Sequence, residues 1–182
     1  LDVYMPQAAA AWPEAKRAQA TELGRKLFFS RLLSSNDRIS CASCHQPEKA
    51  FTDGRTVATG VRRREGPRNT AVMFNRDAST QQFLDGRASS LEQQVEHPFK
   101  SQHEFDQSLK DALKKLEPVF GAEFQSVFGR PINQRDFARA LGSFQRSLIS
   151  SESRYDRRQL TPKELRGEAL FFGKARCSSC HA

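Results

Sequence analysis

The pattern Cys-x-x-Cys-His occurs twice, as Cys41-Ala42-Ser43-Cys44-His45 and as Cys177-Ser178-Ser179-Cys180-His181. No other feature constrains the fold as tightly. The spacing is that of covalent c-type haem attachment. Two thiols form thioethers with the porphyrin, and the histidine that follows is held against the iron as proximal ligand. All four cysteines of the chain are used in this way, so two covalent haems are predicted. A structural zinc site is the first rival, but its two halves sit about 12–20 residues apart. Cys44 and Cys177 lie in opposite parts of the chain, and each motif carries His at the same offset, which zinc does not require. A thioredoxin-like redox pair needs a βαβ setting, whereas the flanks here have helical patterns.

The rest of the composition fits chains whose core is filled partly by porphyrin. Only 37% of residues are hydrophobic, and Phe supplies 14 of the aromatics against 2 Tyr and 1 Trp. The formal charge of +8 falls when two haems add about four propionates. The Arg62-Arg63-Arg64 run is short and has no interleaved aromatics, so it is read as a solvated face rather than a nucleic-acid site. No apolar run reaches the length of a membrane span. The chain starts at Leu1 without a signal peptide, which is expected of a mature or trimmed secreted chain. Haem attachment of this type takes place outside the cytoplasm, and the expected compartment is a bacterial periplasm.

An internal repeat organises the chain. Gly24-Arg25-Lys26-Leu27-Phe28-Phe29 precedes the first haem motif, and Gly167-Glu168-Ala169-Leu170-Phe171-Phe172 precedes the second. Each ends a helical pattern, over residues 13–29 and 162–172, with apolar residues at i, i+4. Thr161-Pro162-Lys163-Glu164 adds a helix start, with Thr at N-cap, Pro at N1 and Glu at N3. The Leu-Phe-Phe segments are expected to pack on porphyrin. Residues 46–88 are rich in Gly, Pro, Asn, Asp, Thr and Arg and show no sustained period. Further helices are predicted over 90–96, stopped by Pro98, over 105–116 with Leu109, Leu113 and Leu116 on one face, and over 136–149 with Phe137, Leu141, Phe144 and Leu148. No strand is predicted. The fold class is all-α, with two cytochrome c-like haem domains joined by long loops. The first spans 13–150. The second, 161–182, is truncated at its haem motif, and its sixth ligand is not identified.

The ordered motifs together resemble the bacterial di-haem cytochrome c peroxidase and MauG-like family. They are Leu23–Phe29, Cys41–His45, Gly66-Pro67-Arg68-Asn69-Thr70, Phe83-Leu84-Asp85-Gly86-Arg87, Leu91-Glu92-Gln93-Gln94 with Pro98 and Glu104, and the second haem motif. The resemblance implies that the His45 haem is peroxidatic and that Gln94 and Glu104 line its distal pocket. A carboxylate above the iron can carry a proton from the inner to the outer peroxide oxygen, and Gln94 can orient the peroxide. The plainer reading of Glu104 is an acid in the first turn of the 105–116 helix, favoured by the helix dipole. Asn69 matches a residue that helps bind calcium between the family's domains.

Two departures matter. The four histidines are His45, His97, His103 and His181, so none lies in the loop where many family members carry a second, reductively expelled ligand. An open iron site, as in the MauG-like branch, is expected; His97 and His103 are read as loop residues. Leu84 stands where the family usually has an inter-haem Trp, and the one Trp of this chain is Trp12. The resemblance therefore implies a periplasmic oxidoreductase that reduces hydrogen peroxide with electrons from a small donor protein, a cytochrome c or cupredoxin. Its rivals are a MauG-like enzyme oxidising residues of a partner protein and a non-catalytic di-haem electron-transfer cytochrome. A homodimer is left open, and neither nucleic acid nor a membrane span is expected.

Overall fold

A computed structural model describes residues 12–181 and divides the chain into two compact units, one running to Ile149 and one from Ser150. The first unit contains α1 (Glu14–Phe29), α2 (Cys41–Cys44), α3 (Leu91–Val95), α4 (Leu109–Phe128) and α5 (Gln134–Ser147). The second contains α6 (Pro162–Phe172) and a 3₁₀ turn, Cys177–Ser179. No strand occurs among the described residues; the class is all-α. Among those residues no helix is long and apolar enough to cross a membrane.

α1 and α5 form the centre of the first unit. α1 follows Pro13, whose fixed φ suits a helix start. α5 begins at Asn133, whose side chain accepts the Asp136 N–H. Their apolar stripes bury Leu23, Leu27 and Phe28 against Phe137, Leu141 and Phe144. The two backbones approach closely because Gly24 has no side chain: a Cβ there would overlap the Ala140 carbonyl.

α4 corrects the expected 105–116 helix. Ser108 caps it by accepting the Asp111 N–H, so Phe105 lies in the preceding turn and gives its carbonyl to Ser35 N–H. The helix then continues past Pro118 to Gly129, whose φ of 73° ends it in the left-handed region. Proline inside a helix costs about 3 kcal/mol. Pro118 is exposed, so the carbonyl it leaves unpaired meets water. The buried series Ala112, Leu116, Phe120, Phe124 and Val127 holds the helix together through it.

The irregular stretch is subdivided rather than open. Isolated antiparallel bridges Gln46–Thr52, Thr59–Glu65 and Gln82–Ala88 close three small loops. Positive φ at Ala50, Phe51, Arg62, Arg63, Asn75 and Phe83 turns the backbone sharply between them.

Candidate haem and peroxide site

α2 is a single turn that sets the first attachment motif. Ser40 and Ser43 form a reciprocal capping box around it, and His45 closes it by donating its N–H to the Cys41 carbonyl at 2.8 Å. The His45 Nδ1 lies 2.9 Å from the Phe51 carbonyl. A carbonyl only accepts, so Nδ1 donates and Nε2 keeps its lone pair, the arrangement an iron ligand needs. Burial holds the imidazole below the ordinary histidine range, against the opposing pull of the Phe51 and Ala71 carbonyls and Asp53. Phe28 packs 6.5 Å from the His45 ring and on Phe51 and Phe144. Of the repeated Phe pair, Phe28 is therefore core beside the proximal histidine, while Phe29 remains 44% exposed.

Both thiols are free. Burial, with Cys44 and Glu104 nearby, pushes Cys41 up to about 12. Burial, Asp53 and Glu104 push Cys44 up to about 11. Glu104 is among the smaller causes of both upward shifts, after burial. Glu104 does not sit in a helix start. It lies in a turn before α4, where its N–H bonds the Ser101 carbonyl at 3.3 Å and its carbonyl accepts Val61 N–H at 3.0 Å. The first-turn acid of α4 is Asp111. The turn doubles back on the 3₁₀ turn His97–Lys100 that follows α3, because Phe105 N–H bonds the Pro98 carbonyl and the tilted Phe99 and Phe105 rings lie 4.9 Å apart. Glu104 is an exposed residue, yet the protein packed around its carboxyl partly desolvates it and raises its pKa, opposed by Ser101, Arg87 and His103.

Gln94 is half-buried on α3, which is capped by Ser90. Its Oε1 accepts from Gln145 Nε2 at 3.4 Å. Gln145 is a buried residue of α5 beside Phe144, and the sequence reading missed it. A second missed group ties α3 down: Arg146 pairs with Glu92 on α3 and with Asp77 in the irregular stretch. Both were legible only as two of the many polar residues of the amphipathic α5.

The remaining sequence candidates are dispersed. His97 stacks edge-on against Phe83 at 4.8 Å and His103 is exposed. Leu84 is 91% exposed, in a turn where Arg87 covers the Phe83 ring at 3.5 Å. Trp12 packs on Phe128 and under the Arg139 guanidinium. Asn69 is exposed, and its neighbour Thr70 buries a hydroxyl without a partner. In the second unit Cys177, Cys180 and His181 are exposed, and His181 N–H bonds the Cys177 carbonyl at 3.0 Å, the same closure as in the first motif.

Residues 18–164 match the family model described as di-haem cytochrome c peroxidase. The chain is 38% identical over 170 residues to the methylamine utilization protein MauG of Methylorubrum extorquens, covering 88% of this chain and 48% of that protein. It is 31% identical to the cytochrome c peroxidase Ccp of Escherichia coli, covering 90% of this chain and 37% of the relative. Among solved structures, a MauG-like protein associated with microbial copper homeostasis matches with a TM-score of 0.86 at 31% identity, over 100% of this chain and 57% of the other. A diheme peroxidase from Burkholderia thailandensis matches with a TM-score of 0.79 at 28% identity, over 89% and 48%. The chain spans about half the length, or less, of the curated relatives it matches.

Proposed function

The chain belongs to the di-haem cytochrome c peroxidase family, and we propose that it forms the peroxide-reducing part of a periplasmic di-haem enzyme fed by a small electron-donor protein. Residues 13–150 are its peroxidatic cytochrome c-like domain, and residues 161–182 begin a second. The residues fit the group. Cys41 and Cys44 offer two free thiols on one turn, and His45 offers Nε2 with Nδ1 locked. Cys177, Cys180 and His181 repeat the backbone closure. Covalent haem at His45 supplies an iron that binds peroxide and takes up electrons.

Everything else is asked of the chain. Reducing one hydrogen peroxide to two waters consumes two electrons and two protons. As a carboxylate, Glu104 accepts the proton of the oxygen that stays and returns it to the oxygen that leaves. Gln94, whose carbonyl oxygen accepts from Gln145, has its amide N–H₂ left as the donor that orients the peroxide. The observation that supports this reading is the loop between Glu104 and the haem-attachment turn: its Thr59 carbonyl lies 3.8 Å from Cys44 Sγ, and its Val61 N–H donates to the Glu104 carbonyl at 3.0 Å.

A MauG-like reading, in which the oxidising equivalents go to residues of a partner protein, is favoured by the lack of histidine between Gln46 and Glu96. Exposed Leu84 in place of the usual Trp argues against a simple copy of it. Calcium at Asn69 gains support from Thr70, whose buried unpaired hydroxyl is an oxygen donor of the kind a hard cation takes. The test is electron paramagnetic resonance on the oxidised holoprotein, after denaturing mass spectrometry has shown two haem masses on the chain. A high-spin ferric signal that peroxide perturbs without prior reduction is expected. Two low-spin haems inert to peroxide would instead identify an electron-transfer cytochrome.

A further inference from the structure

The loop over residues 58–66 joins the two sides of the site. Its Thr59 carbonyl lies 3.8 Å from Cys44 Sγ. One residue on, Gly60 presses against the turn that carries Glu104: a Cβ at Gly60 would stand 2.7 Å from the Glu104 carbonyl oxygen and closer still to that of His103. The φ of Gly60 is −104°, so no left-handed backbone calls for glycine there; the close approach of the two carbonyls does. Around this contact the loop is braced. Val61 N–H donates to the Glu104 carbonyl, Arg64 donates to the Gln102 carbonyl at 3.1 Å, and Arg64 and Arg62 both pair with Asp106. Within the loop, Gly60 N–H bonds the Arg64 carbonyl and Gly66 N–H that of Ala58. The arginine run is thus a clamp on the 102–106 turn.

We propose that Gly60 is a positioning residue for Glu104: the 58–66 loop fixes the distance between the Glu104 backbone and the haem-attachment turn, and only a residue without a side chain permits the required approach. The inference rests on Glu104 serving as the proton carrier. A displacement of about 1 Å at a reacting group can cost about 10²-fold in rate, and the backbone carbonyls of His103 and Glu104 cannot yield to a methyl group without moving the side chain they carry.

The experiment uses the haem-loaded protein and compares Gly60→Ala, Gly66→Ala, Glu104→Gln and the Gly60→Ala/Glu104→Gln double variant. A Cβ at Gly66 meets only ordinary contacts, the nearest at 3.6 Å, so Gly66→Ala controls for loop stiffening. The rate of reaction with hydrogen peroxide is measured by stopped-flow absorbance across pH, and exchange of the Val61 amide is followed by NMR. Gly60→Ala should keep both haems, expose the Val61 amide, slow the reaction by about 10- to 100-fold and displace the acid limb of the pH profile. Glu104→Gln should then add little to it, because the acid is already out of place. Fully additive effects, or an equal loss in Gly66→Ala, would overturn the proposal. Should Gly60→Ala fail to bind haem, Arg64→Met loosens the same clamp without a clash, and its coupling to Glu104→Gln decides in the same way. A wild-type rate in Glu104→Gln alone refutes the proton-carrier reading instead, whereas the Val61 amide still reports whether Gly60 holds the turn.

Discussion

Glu104 is exposed, but the protein around its carboxyl partly desolvates it and raises its pKa, and Ser101, Arg87 and His103 recover only part of that loss. A carboxyl with a raised pKa is a better proton carrier near neutral pH than one fully solvated. It also costs stability. Because the folded pKa lies above the unfolded one, the penalty is present at pH above the folded value and is relieved as pH falls through it. Glu104→Gln is therefore expected to slow the reaction with peroxide by about 10²–10⁴-fold while leaving the melting temperature at neutral pH unchanged or slightly higher. Wild-type protein should lose rate as pH drops through a pKa above the usual glutamate range, and that limb should be missing in the variant. Stopped-flow and thermal unfolding on the same preparations check both; a rate loss accompanied by unfolding would make Glu104 structural. Glu104 was visible in the sequence only through the resemblance, since its spacing suited a helix start equally well. The structure removes that alternative, because Ser108 starts the helix.

The helices differ in how openly their sequences announce them. α6 matches its expected bounds, residues 162–172, because Thr161 and Glu164 form a reciprocal capping box around Pro162. α4 runs past the expected end at residue 116: a proline disfavours helix in the residue before it, but the buried stripe beyond Pro118 outweighs that local preference. Contacts between elements were not legible at all. Gln94 with Gln145, and Gly60 with His103, join positions far apart in sequence, and no local pattern encodes them. The same holds for Gly24, which reads as a helix-weakening residue yet sets the spacing of α1 and α5. Two glycines separate propensity from packing. A Cβ at Gly121 in α4 would meet only the flexible end of Glu117, whereas one at Gly24 meets the Ala140 backbone. Gly121→Ala should be neutral or gain up to about 1 kcal/mol from helix propensity. Gly24→Ala should lose about 1–3 kcal/mol, because overpacking against backbone exceeds that gain. Thermal or denaturant unfolding checks the pair, and equal responses would mean that α1 and α5 do not meet at Gly24.

At the scale of the whole molecule the two haem motifs follow helices that bury their apolar residues to different extents. The first unit buries Leu27 and Phe28 of its repeat to 0% and 2% exposure. In the second, Leu170, the counterpart of Leu27, is 52% exposed and Leu165 is 49% exposed, while Phe171, the counterpart of Phe28, is half-buried. An isolated helix shorter than about 12–15 residues is itself marginal, and α6 has 11. Its supports are local: the capping box, worth about 1 kcal/mol, and the ion pairs Arg154–Glu164 and Arg158–Glu168, which as exposed pairs contribute about 0–1 kcal/mol each. None of this approaches what the buried α1–α5 pair supplies. Hydrogen exchange on the haem-loaded chain should therefore show α6 amides exchanging at least about 10²-fold faster than those of α1 and α5, through local opening that leaves the first unit intact. Protection of α6 equal to that of α1 would mean that residues 150–182 share in one cooperative unit with the rest, and that the apolar side chains of α6 are buried in solution.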